Sequence, residues 1–151
     1  MNPAQLAAAG PRAAGHQTDY AELMEDILAG ARMHYRLDPT HDDPDLSLLE
    51  GDDRYAQGLA KLAALGDLEA TAGLADIISL VAQANAAGDL ELADAVWWAG
   101  AVAIGWGTSD ALEAAKSRAR AGARDAAPAL LAAAAARRAH EGRGSGARSE
   151  L

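Results

Sequence analysis

Two pairs of carboxylates are spaced so that each pair could lie on one face of a helix. Glu22 and Glu25 form the first pair, and Glu91 and Asp94 form the second. Residues three positions apart are neighbours on a helix surface, and magnesium prefers oxygen ligands such as carboxylates. Two such pairs that face each other across a helical bundle could therefore hold magnesium.

This arrangement resembles the Glu-x-x-Glu and Glu-x-x-Asp signature of MazG-type nucleotide pyrophosphohydrolases. The resemblance implies that Glu22, Glu25, Glu91 and Asp94 bind magnesium and hold it against the phosphates of a nucleotide. In that family the pairs lie on consecutive helices, whereas here a long stretch of chain separates them. Both pairs also fall in the first turns of their predicted helices, where carboxylates complement the helix dipole. The hydrolase with magnesium is therefore the alternative, and the main expectation is that the chain has no catalytic residues and no cofactor.

Three tryptophans on one predicted helix are the best candidates for specific binding. Trp98 and Trp106 lie on one apolar stripe, and Trp97 lies on a neighbouring face. The other predicted helices offer mostly alanine and a few larger aliphatic residues to cover both stripes. Tryptophan is a frequent interface anchor. We therefore predict Trp97, Trp98 and Trp106 as partner-binding residues, with full burial in the monomer as the alternative.

Other metal and nucleophile chemistry has little support in the sequence. An EF-hand loop that began at Asp38 would place Asp42 correctly, but Asp43 and Leu49 stand where glycine and glutamate are required. The chain has no cysteine. Its four histidines are scattered through the predicted leader, a helix, a loop and the tail: His16, His34, His41 and His140. The sequence therefore indicates neither a zinc cluster nor a nucleophile and base pair.

The charge is divided sharply along the chain. The 151 residues carry a net charge of −9, yet residues 1–110 hold 18 acidic and 5 basic side chains, whereas residues 111–151 hold 4 and 8. An acidic body repels phosphate backbones, so we do not expect it to bind nucleic acid. The first residues lack the basic and apolar regions of a signal peptide, and we expect a cytoplasmic protein without a membrane span.

A repeated phrase indicates the architecture. Gly66-Asp67-Leu68-Glu69 and Gly88-Asp89-Leu90-Glu91 each separate two stretches of helical period. Glycine favours the left-handed conformation that ends a helix, and aspartate is a preferred N-cap. Residues 90–106 are apolar on all sides after Asp94, as in a buried helix. The uncharged run is too short for the roughly 20 residues that span a bilayer.

Residues 88–105 also resemble the second half of a tetratricopeptide repeat. The two phrases are 22 residues apart, whereas that repeat requires about 34. We interpret the match as ordinary helix-turn-helix chemistry.

The expected fold is all-α: a compact bundle of about five helices, joined by short Gly-Asp turns, around a buried tryptophan-rich helix. We divide the chain into a disordered leader (1–17), the helical bundle (18–127), an alanine-rich helical extension (128–140) and a disordered tail (141–151). The expected function is a non-enzymatic component for protein–protein interaction or assembly that self-associates, so the partner is a protein and includes a second copy of this chain.

Overall fold

The protein is all-helical. A computed structural model describes residues 1–35, 37 and 42–149, with side chains described as far as residue 140. These residues form seven α-helices and no strand: α1 (Pro3–Ala9), α2 (Gln17–His34), α3 (Pro44–Leu65), α4 (Leu68–Ala86), α5 (Leu90–Trp106), α6 (Asp110–Arg120) and α7 (Ala126–Ser149). None of these helices combines the length and apolar character needed to cross a membrane.

The helix α5 lies at the centre of the fold. α1, α4 and α7 all pack against it, and residues 99–105 are buried without exception. This part of α5 is apolar on every side, so it is covered on every side. Small residues let the neighbouring helices come close: a Cβ atom on Gly100 would lie 2.2 Å from Ile77 Cγ1.

Tight turns link α3 to α4 and α4 to α5. Gly66 and Gly88 have φ angles of 71° and 69°, in the left-handed region that glycine tolerates. The next residue caps the following helix in each case. The Asp67 carboxylate accepts a hydrogen bond from Ala70 N–H, and the Asp89 carboxylate accepts one from Leu92 N–H. The short turn at Gly88 makes α4 and α5 a hairpin, so that the end of α4 and the start of α5 lie on the same side of the fold.

The helices α2 and α3 form a second hairpin whose backbones touch. A Cβ atom on Gly30 would lie 2.8 Å from the Gly51 carbonyl oxygen. The buried Asp26 of α2 accepts ion pairs from Arg54 at 2.9 Å and Lys61 at 2.7 Å, both on α3. Close packing and paired charge hold α2 in place along its length.

The segment considered as a calcium loop is largely helical. α3 begins at Pro44, with Asp43 as its N-cap, so Leu49 lies in a helix where an EF-hand requires a loop ligand. Asp38, the first residue of that loop, lies outside the described residues.

The amino-terminal segment is a helix and not the disordered leader that its composition indicated. The Asn2 side chain accepts a hydrogen bond from Gln5 N–H, and the Gln5 side chain accepts one from Asn2 N–H. α1 packs against both α2 and α5, and Leu6 is fully buried. The composition of this segment did not reveal α1, because a single leucine among small residues is enough to dock the helix. Gly105 lets α1 and α5 touch.

Besides the five helices expected for the bundle, the described residues form α1, which was not expected, and α7, which contains the helical extension expected at residues 128–140. The expected boundary between the bundle and the extension is at residues 127 and 128, but the turn between α6 and α7 lies earlier, at Gly122, whose φ angle is 74°. Pro128 falls in the first turn of α7, where a missing N–H group is tolerated. Leu130 is 1% exposed, so residues 128–140 belong to the bundle. The backbone stays helical to Ser149, through a segment that was expected to be disordered.

Candidate functional site

A cleft of about 410 Å³ opens between α2 and the α4–α5 hairpin. Most of its lining is apolar or aromatic, with three polar side chains among the lining residues. The apolar and aromatic residues are Pro3, Leu28, Ala31, Tyr35, Leu37, Val81, Leu90, Ala93, Trp97 and Trp98, and the polar ones are Arg32, Asn85 and Asp94. A large apolar surface with a few polar groups is typical of clefts that bind ligands.

Each long wall of the cleft is one helix face. From α2 and its C-cap residue Tyr35 come positions 28, 31, 32 and 35, and from α5 come positions 90, 93, 94 and 97. Both sets follow the spacing i, i+3, i+4, i+7, which places four side chains on one stripe of a helix. The cleft therefore lies between the last two turns of α2 and the first two turns of α5.

Two of the described lining residues carry a charge, and they come from opposite walls. Arg32 lies on α2 and Asp94 on α5, and both side chains are exposed. Neither forms an ion pair with any other described residue. Burial raises the pKa of Tyr35 above its ordinary value, so its phenol is neutral at pH 7, and its ring meets His34 edge-on at 4.8 Å. The cleft thus offers an unpaired cation, an unpaired anion and uncharged aromatic surface.

The structure separates the three tryptophans predicted as partner-binding residues. Trp97 and Trp98 are half-buried and line the cleft. Trp98 also reaches a smaller groove of about 130 Å³ between α1, α5 and α7. Trp106 is half-buried at the other end of α5, where the Arg138 guanidinium lies 5.1 Å from its ring centroid. Only Trp97 and Trp98 can act together.

The two carboxylate pairs do not form one site. Glu22, Glu25, Glu91 and Asp94 are all exposed, and Glu22 lies 4.0 Å from the Lys61 ammonium group. Asp94 faces the last turns of α2, whereas Glu22 and Glu25 lie in its first half. The described part of the chain contains no group of three or more histidine, aspartate or glutamate side chains able to hold a metal ion. The geometry gives no support to the magnesium-dependent alternative.

Sequence reasoning missed Arg32, Tyr35 and the rest of the α2 wall. Leu28, Ala31 and Tyr35 recur at helical spacing and form an apolar stripe, but this spacing does not predict which helix the stripe faces. The signal that could have found the site is the matching spacing on α2 and α5, with one unpaired charge in each stripe.

No protein-family model, curated protein or solved structure matches this chain. Function must therefore be inferred from the cleft and its surroundings.

Proposed function

We propose that this protein is a non-enzymatic helical interaction and assembly component that self-associates through the cleft formed by α2, α4 and α5. One observation supports this most: Trp97 and Trp98 stand next to each other, half-buried, on the lining of an open cleft. A half-buried tryptophan on the lining of a cleft leaves part of its apolar surface exposed to water, and a second protein can bury that surface. Interface hot spots are enriched in tryptophan and cluster in well-packed pockets.

The polar groups of the cleft suit docking better than catalysis. Arg32 and Asp94 lie on opposite walls and are exposed, as rim charges of an interface are. Rim charges orient a partner and favour one partner over another. Asn85 is already engaged, because its side-chain amide donates to the Val81 carbonyl oxygen at 2.9 Å. These features make the cleft a surface for a partner with its own apolar and charged groups.

The first test is the solution mass of the full chain over a range of concentrations, by sedimentation equilibrium or light scattering. We expect the wild type to form a higher-mass species, and Trp97→Ala to weaken it about 30-fold, which corresponds to about 2 kcal/mol. Trp106→Ala is the matched control, since it removes the same side chain from the opposite end of α5 and should leave the association constant unchanged. Circular dichroism on all three proteins checks that the helices remain folded. A wild type that stays monomeric at about 1 mM would refute the proposal.

A further inference from the structure

The cleft has the chemistry that recognises a guanidinium group. Tyr35, Trp97 and Trp98 supply aromatic rings, and Asp94 supplies a carboxylate. Aromatic faces attract cations, and arginine both stacks on rings and pairs with carboxylates. Glu91, one turn before Asp94 on α5, adds a second exposed negative charge.

The chain already makes an arginine–tryptophan contact. The Arg138 guanidinium lies 5.1 Å from the ring centroid of Trp106. The Trp106 ring is therefore occupied within the monomer, while neither Asp94 of the cleft nor the neighbouring Glu91 has a basic partner among the described side chains.

Suitable arginines occur in the carboxyl-terminal part of the same chain. Residues 141–149 contain Arg143 and Arg148, and Arg143 stands between Gly142 and Gly144. Small neighbours allow the backbone to approach a cleft closely. Glu141 adds one acidic group, which Arg32 on the α2 wall can pair with. Residues 142–148 carry two basic and no acidic side chains, whereas the body is acidic, so electrostatic attraction favours the encounter of this segment with the body of a second copy.

A tail cannot reach the cleft of its own molecule while α7 remains straight. α7 runs in the same direction as α5: Leu130 lies beside Val96 and Gly100, and Arg137 donates to the carbonyl oxygens of Trp106 and Gly107. The cleft is at the start of α5, and α7 continues past the end of α5. Residues 141–149 extend it by about 14 Å in that direction, away from the cleft.

We infer that the cleft of one copy receives the arginine-bearing segment 142–148 of a second copy. This inference rests on the proposed self-association and specifies its geometry. The contact joins two different surfaces, so it is head-to-tail, and it builds rings or chains instead of closing as a two-fold dimer.

Complementation between two variants tests this geometry. One variant is Asp94→Lys, which inverts the charge in the cleft but keeps the tail. The other combines Arg143→Gln with Arg148→Gln, which removes the tail charges but keeps the cleft. Asp110→Lys, at an exposed site on α6 away from the cleft, is the control for the change in net charge. Sedimentation equilibrium measures each protein alone and then an equimolar mixture of the first two.

We expect each of the two variants alone to associate at least 10-fold more weakly than the wild type, and Asp110→Lys to associate as the wild type does. In the mixture, the intact tail of Asp94→Lys meets the intact cleft of the double variant, so a 1:1 heterodimer forms. If the double arginine variant associates as strongly as the wild type while Trp97→Ala does not, the cleft is a docking site but the tail is not its occupant. A wild type that remains monomeric overturns both this inference and the proposed function.

Discussion

At the scale of single residues, Asp67 joins three parts of the molecule. Its carboxylate caps α4, accepts a hydrogen bond from Arg12 at 2.8 Å and accepts another from the Tyr20 hydroxyl at 2.5 Å. Arg12 also donates to the Ile104 carbonyl oxygen near the end of α5. Burial, helped by the bond to Asp67, raises the pKa of Tyr20 to about 12. The phenol thus remains a donor at physiological pH.

The protonation of Asp67 makes stability depend on pH. Burial alone would raise the pKa of Asp67, but the hydrogen bonds from Arg12, Tyr20 and Ala70 outweigh it and hold the pKa below its ordinary value. A carboxyl whose pKa is lowered on folding contributes stability above its unfolded pKa of about 3.9, and this contribution is lost as pH falls towards the folded value. We expect Asp67→Asn to be less stable than wild type at pH 7, by a margin that shrinks towards pH 3. Urea unfolding at both pH values measures it.

Glu25→Gln is the control for the Asp67 experiment, because Glu25 is exposed and has no ion pair within the described residues. It should change stability little at either pH. A margin for Asp67→Asn that stays constant between pH 7 and pH 3 would show that the charge of Asp67 is not what stabilises the fold.

Two helical glycines predict opposite effects of the same substitution. A Cβ atom on Gly105 would lie 2.6 Å from the Ala7 carbonyl oxygen, whereas a Cβ atom on Gly73 would find no neighbour closer than 3.8 Å. Gly105→Ala should therefore push α1 away and cost about 1–3 kcal/mol or more. Gly73→Ala should stabilise the protein by about 0.5–1 kcal/mol, since alanine is the better helix former. Thermal melts on both variants suffice, and equal shifts of the same sign would contradict the close approach of α1 to α5.

At the scale of helices, periodicity in the sequence predicted individual helices but not how they pack against each other. An apolar helical period runs through residues 19–35. This period and the Gly-Asp phrases before α4 and α5 can be recognised in the sequence because each is a local feature. The sequence does not show that the apolar stripes of α2 and α5 face each other, because their placement depends on α1, which packs against both helices. α1 has only Leu6 as a large buried side chain. Its stability comes from contacts that exist only after α2 and α5 are in place, so composition alone could not reveal it.

The helix α1 should be essential for stability, contrary to what its composition indicated. Leu6 is fully buried, and Leu6→Ala should cost about 2–5 kcal/mol. Leu68→Ala is the matched control, because Leu68 is 83% exposed, and surface substitutions usually change stability by no more than about 0.5 kcal/mol. Chemical unfolding of the two variants against wild type measures the difference. Equal stability of the two variants would mean that α1 is not docked in solution.

At the scale of the whole molecule, the division of charge acts in two ways. Excess negative charge in residues 1–110 repels itself within one copy and opposes the compact state. The positive charge of residues 111–151 attracts the body of a neighbouring copy if the molecules meet head to tail. Added salt screens both effects, because the Debye length falls from about 10 Å at 0.1 M to about 3 Å at 1 M.

Salt should therefore change folding and association in opposite directions. The effect on folding is measured on Asp94→Lys, because this variant is expected to associate weakly. Raising sodium chloride from about 0.1 M to 1 M, which spans this fall in the Debye length, should raise its melting temperature, because repulsion within the body is screened. The same change should weaken the self-association of the wild type, because attraction between body and tail is screened as well. Differential scanning calorimetry gives the first quantity and sedimentation equilibrium the second. Association that does not weaken with salt would mean that the contact is held by apolar burial alone, since salt screens charges but does not screen apolar contacts. The tail charges would then have no part in it.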